Sequence, residues 1–139
     1  MPIRCEIVSQ DRMVFQGDVD IVVLPGASGE MGVLPHHSPV LTVIQFGVVR
    51  VRSAGEEQFF TVAGGVAEVQ PDQVTVLADA AENVQEINVQ RAEEARKRAE
   101  AVLAQGVGKD PDSYLEIQAA LKRSNLRIDA ARRYRKSRS

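Results

Sequence analysis

Polar and apolar residues alternate at the start of the chain. Ile3, Cys5 and Ile7 fall on one side of an extended backbone and Arg4 and Glu6 on the other, as a half-buried strand requires. Gly17-Asp18 punctuates the chain. An apolar stretch then runs from Val19 to Leu24, interrupted by Asp20, into the turn-rich Pro25-Gly26-Ala27-Ser28-Gly29. Val40 to Ile44 and Val48 to Val51 predict further strands split by Gly47. Ser53-Ala54-Gly55, between Val48–Arg52 and Gln58–Val62, has hairpin spacing. Gly64-Gly65 and Gln70-Pro71-Asp72-Gln73 mark two more turns. Turn signals about every 8–12 residues without a helical period predict a sandwich or barrel of short strands.

The period changes near residue 86. From Asn88, a predicted N-cap, Ala92, Ala95, Ala99 and Val102 recur at steps of three and four. Gly106-Val107-Gly108 stops that helix. Asp110 caps a second one with Pro111 in its first position, and its seam is Tyr114, Ile117, Leu121, Ser124, Ile128 and Ala131. The short connection predicts an antiparallel αα-hairpin. The chain therefore divides into a β domain over 1–85 and a helical domain over 86–139, an α+β organisation. Alanine seams bury far less area than leucine, which contributes on the order of 2 kcal/mol per side chain. Such a hairpin is marginal alone and suited to detach or re-dock.

Charge sharpens the boundary. The 139 residues carry a net charge of −2, but residues 1–85 hold 4 Lys+Arg against 11 Asp+Glu and residues 86–139 hold 13 against 8. The chain is thus an acidic half followed by a basic one. A single cysteine, Cys5, excludes an internal disulfide framework. No apolar run approaches the roughly 20 residues of a membrane-spanning helix, and the first residues lack the apolar core of a signal peptide. With aromatics at 4% and no Trp, the core is expected to be aliphatic.

Motifs with chemistry are few. Gly26-Ala27-Ser28-Gly29-Glu30-Met31-Gly32 is glycine-rich, but Val33-Leu34-Pro35 follows where a phosphate loop needs Gly-Lys-Ser/Thr and a helix. His36 and His37 are adjacent, so they face opposite ways in an extended segment and make poor joint metal ligands. Cys5 sits on the apolar side of its strand, where a thiol is inert core. No catalytic residue and no metal site is expected. Arg91, Arg98, Arg123 and Arg127 each adjoin a seam position and border one side of the predicted hairpin. Four guanidinium forks so placed suit a triphosphate, while solvated flanks with a Glu94–Arg98 pair are the simpler reading. Residues 122–139 hold 8 Lys+Arg and one acidic residue. That patch attracts any polyanion, so a small basic-tailed nucleic-acid-binding module is an alternative, although Tyr134 alone offers little base stacking.

The run Gly29-Glu30-Met31-Gly32-Val33-Leu34-Pro35-His36-His37-Ser38-Pro39-Val40, with Gly47, Gly64-Gly65, Glu68-Val69-Gln70-Pro71 and Val74-Thr75-Val76-Leu77-Ala78-Asp79 after it, resembles the epsilon subunit of bacterial and chloroplast rotary ATP synthases. The resemblance covers nearly the whole chain; Arg135 to Ser139 look like an extension. It implies a β-sandwich of antiparallel strands followed by the αα-hairpin. It also implies a non-catalytic central-stalk (rotor) subunit of a proton-translocating ATP synthase. In that family the sandwich binds the gamma subunit and the membrane rotor ring, for which Glu30 is the candidate contact. The hairpin extends into the catalytic alpha and beta subunits and inhibits ATP hydrolysis. Arg123, Arg127, Arg132, Arg133 and Arg135 are the cations expected to face that head. These protein partners replace nucleic acid. The implied location is the cytoplasmic face of the bacterial plasma membrane, held there through the complex, or the stromal face of the thylakoid. No cofactor is required. Some bacterial members bind ATP as a regulatory ligand on the folded hairpin through an Ile/Leu-Asp-x-x-Arg-Ala motif. The matching positions are Ile87, Asn88, Arg91 and Ala92, with Arg98, Arg123, Arg127 and Glu82. Asn88 departs from the family's Asp and implies weaker binding, because an amide oxygen lacks charge assistance.

Overall fold

The computed structural model describes residues 2–106 and 110–135. The chain forms two compact units, residues 1–84 and 85–139. The first contains eight strands: β1 Ile3–Ser9, β2 Arg12–Val19, β3 Ile21–Gly26, β4 Gly29–Val33, β5 Val40–Ser53, β6 Glu56–Val69, β7 Gln73–Ala78 and β8 Ala81–Asn83. Their order is β2-β1-β7-β6-β5-β3-β4, with β8 also on β6. All pairs are antiparallel except β1 with β7, which run parallel with Cys5 opposite Val74. β5 and β6 are 14 residues each, longer than the short strands expected.

Those two long strands make the sandwich. On β6, Phe60 and Val62 are buried, then Ala67 and Val69; on β5, Ile44 is buried, then Val49 and Val51. Even positions give way to odd ones on both strands. Each strand therefore turns over partway along and presents opposite faces to one core. The change falls at Gly47 on β5 and at Gly64-Gly65 on β6, where the residue pattern placed a split and a turn. The strands instead continue through both points. Gly64 and Gly65 adopt φ of 90° and 138°, and the ladder persists beside them through Asp79 N–H to Gly64 O and Ala63 N–H to Ala80 O, both 2.9 Å. At Gly47 a Cβ would lie 2.7 Å from Pro25 Cβ, so its absence admits the close approach of β3.

Other punctuation was also relocated. Gly17 lies within β2, and the β1–β2 connection is at Gln10-Asp11, leaving Ser9 opposite Arg12. The Ala54-Gly55 hairpin turn forms as expected, with both residues at positive φ. The Gln70 to Gln73 turn is closed by Gln70 N–H donating to Gln73 O at 2.8 Å. The core is aliphatic apart from Cys5 and Phe60, and the Phe60 ring is 5.3 Å from that of Phe15.

The second unit contains α1 (Val89–Gln105) and α2 (Pro111–Tyr134). Asn88 caps α1, its Oδ1 accepting Arg91 N–H at 3.0 Å. Asp110 caps α2, accepting Asp112 N–H and Ser113 Oγ–H, both at 3.1 Å, with Pro111 in the first turn. The buried seam residues are Ala92 and Ala99 on α1 and Ser124, Ile128, Ala130 and Ala131 on α2. Val102 and Tyr114 are exposed, contrary to the predicted seams, while Leu103 is partly covered. A period of 3.6 carries the α1 seam through 92, 96, 99 and 103. Val107 and Gly108, expected to stop α1, lie outside the described residues.

Candidate functional site

The helical hairpin gathers most of the predicted site residues. Glu93 Oε1 accepts from Arg132 Nη2 at 3.1 Å, and this contact fixes the axial register of the antiparallel pair. Counting five residues on from Glu93 and five back from Arg132 brings Arg98 and Arg127 to one level. Arg123 stands about 6 Å further toward the connecting loop, and Arg91 stands level with Tyr134. Flank follows from handedness. Arg91, Arg98, Arg123 and Arg127 directly precede the buried Ala92, Ala99, Ser124 and Ile128. In antiparallel helices, residues preceding the seam fall on the same side of the pair. The four arginines form one cationic flank, with Arg91, Arg98 and Arg123 exposed and Arg127 half-buried. Glu93 and Arg132 directly follow seam alanines and occupy the opposite flank.

The rest of the proposed nucleotide motif has packing and capping roles. Ile87 and Ala92 are buried. The Oδ1 of Asn88 already accepts the Arg91 amide, which leaves one lone pair for any other donor. Glu82 is on β8 in the other unit, and its backbone carbonyl accepts Thr61 Oγ1 at 3.5 Å. Among the basic residues at the end of α2, Arg132 pairs with Glu93, the Arg133 guanidinium lies 6.0 Å from the centre of the Tyr134 ring, and Arg135 Nη2 donates to Ile87 O. Lys136 and Arg138 of the basic tail lie outside the described residues.

In the sandwich, Glu30 is exposed on the edge strand β4, opposite Pro25. The unit also carries an apolar patch that residue typing missed. Leu41, Val43 and Leu77 are 69%, 59% and 51% exposed. Val43 pairs with Val66 and Val66 with Leu77, so the three form a cross-strand row with Leu41 beside it. The signal was present in Val40-Leu41-Thr42-Val43-Ile44, where apolar residues occupy both faces of the strand, and at Leu77, where alternation from Thr75 calls for a polar residue.

Burial first and the Glu6 charge second push the Cys5 thiol from 9.0 to about 12, so it stays protonated and unreactive in the folded chain. Among the described residues, no three His, Cys, Asp or Glu side chains group to hold a metal ion. No described helix is long and apolar enough to cross a membrane.

Comparison with known proteins settles the family. Residues 2–84 match the beta-sandwich domain of the ATP synthase delta/epsilon chain, and residues 85–132 match its long alpha-helix domain. The chain belongs to the ATP synthase delta/epsilon family. An ATP synthase epsilon chain from Dehalococcoides mccartyi is 43% identical over 140 residues, covering 96% of this chain and 95% of the relative. One from Syntrophobacter fumaroxidans is 47% identical over 129 residues, covering 93% and 95%. The same delta/epsilon fold occurs in a chain of the Euglena gracilis mitochondrial ATP synthase, with TM-score 0.75 at 23% identity over 94% of this chain and 81% of that one.

Proposed function

We propose that the chain is a non-catalytic central-stalk subunit of a proton-translocating ATP synthase, coupling rotation to ATP synthesis and inhibiting ATP hydrolysis through its helices. The observation that carries this reading is the match of both family domains, in order, over residues 2–84 and 85–132. The sandwich docks on the gamma subunit through the Leu41, Val43, Val66 and Leu77 face, since an apolar row of this kind on an otherwise acidic domain needs a partner to cover it. Glu30 meets the membrane rotor ring. The hairpin opens toward the catalytic alpha and beta subunits, offering Arg123, Arg127, Arg132, Arg133 and Arg135 to an acidic surface. The chain is held through the complex at the cytoplasmic face of the bacterial plasma membrane. Capture of the purified gamma subunit by the immobilised chain tests the docking face. Leu41→Glu with Leu77→Glu should abolish capture while leaving the circular dichroism spectrum unchanged; undiminished capture would refute the assignment.

The cationic flank favours a second role for the same hairpin, ATP acting as a regulatory ligand on Arg91, Arg98, Arg123 and Arg127, with Asn88 toward the base. Binding is expected to be weak because Asn88 Oδ1 already serves the helix cap. Calorimetry at millimolar ATP should give heat with the wild-type chain and none with Arg123→Ala. Absence of heat from both removes the site.

A further inference from the structure

We propose that Glu93, Arg132 and Arg135 form a clasp that shuts the open end of the helical hairpin and withholds two of its arginines from an acidic partner. This rests on the inhibitory reading above. Ile87 is 3% exposed and precedes α1. The first turn of α1 uses Arg91 N–H to Asn88 Oδ1 and Ala92 N–H to Asn88 O, both at 3.0 Å, and the Ile87 carbonyl lies before the cap, outside the helix ladder. Arg135, immediately after α2, donates to that carbonyl from Nη2. A covered carbonyl without a donor is destabilising, so this hydrogen bond answers a need created at the base of the hairpin. Arg132 adds the charged contact to Glu93 at 3.1 Å. Both contacts join the start of α1 to the end of α2, where no loop connects the helices and where the buried residues are Ala92, Ile128, Ala130 and Ala131.

Competition follows from this geometry. Arg132 and Arg135 held on Glu93 and the Ile87 carbonyl are less available to acidic groups elsewhere, so a partner competes with the clasp for them. The ion pair is exposed, its side chains 63% and 36% accessible, so it shifts the equilibrium by a few-fold and weakens with salt. Its place on the flank opposite Arg91, Arg98, Arg123 and Arg127 makes it separable from that cationic row.

Hydrogen exchange on the full chain reads the clasp directly. Glu93→Gln should speed amide exchange over residues 87–95 and 128–135 by about two- to five-fold and leave the sandwich unchanged. Glu93→Arg combined with Arg132→Glu should restore wild-type rates. Exchange in Glu93→Gln equal to wild type, or no recovery in the swapped pair, overturns the proposal. Within the assembled catalytic complex, Glu93→Gln should inhibit ATP hydrolysis more strongly than wild type. Faster exchange without stronger inhibition leaves the clasp standing and removes the inhibitory reading instead, so the two failures are distinguishable.

Discussion

Gly64 and Gly65 hold the corner at which β6 passes from one layer of the sandwich to the other. A Cβ on Gly65 would lie 2.2 Å from Leu77 O and 2.8 Å from Ala78 Cα. Both are backbone atoms of the paired strand β7, so neither can retreat without opening the ladder, and φ of 138° adds strain for any larger residue. Gly65→Ala is expected to lower stability by about 3 kcal/mol, read as a shift in the urea midpoint; an unchanged midpoint would contradict the corner. The residue pattern identified these glycines but misread their use, because paired glycines serve equally as a turn or as a bend inside a strand. Only the contacts with residues 77 and 78 decide between the two. Asn88 was legible in one role: its cap follows from its type and position, while the loss of a free lone pair appears only once Oδ1 is seen on the Arg91 amide.

At the scale of elements, strong local chemistry was readable and edge strands were not. The helix starts at Asn88 and Asp110 and the hairpin at Ala54-Gly55 follow from capping and turn preferences. β2 and β4 escaped notice because they are edge strands with much of their length exposed, so no alternation marks them. The α1 seam drifted by one residue at its far end, from Val102 to Leu103, because steps of three and four do not fix the helical phase over four turns. The expectation of a weak hairpin rests on its alanines. Among the described residues of the two helices, Ile128 is the only buried side chain larger than serine. Ile128→Ala should therefore cost about 2–4 kcal/mol, enough to remove exchange protection across α1 and α2. Protection of β1 and β7 should persist. Loss of protection in both units together would show that the hairpin is not a separate cooperative unit.

For the molecule as a whole, the small net charge conceals two units of opposite sign, an acidic sandwich and a basic hairpin. The Gly29 to Val40 run and the ordered motifs after it pointed to the family, and the family matches run in sequence through both domains. The exposed apolar row was not foreseen, since it depends on three strands lying side by side. Its members come from residues 41, 43, 66 and 77, and strand pairing alone assembles them. On the proposed function the units make a coupling part: one surface to hold a rotor partner, and a lightly closed pair of helices carrying cations for a second partner. Attraction of those cations to an acidic head is long-ranged, so inhibition should fade as ionic strength rises beyond about 0.1 M, where the screening length is near 10 Å. The central claim, that the helices of this chain restrain ATP hydrolysis, is tested most directly by titrating the chain into a catalytic alpha/beta complex with its gamma subunit. Hydrolysis should fall with the wild-type chain and recover with Arg132→Ala combined with Arg133→Ala. Equal inhibition by the two chains would contradict it.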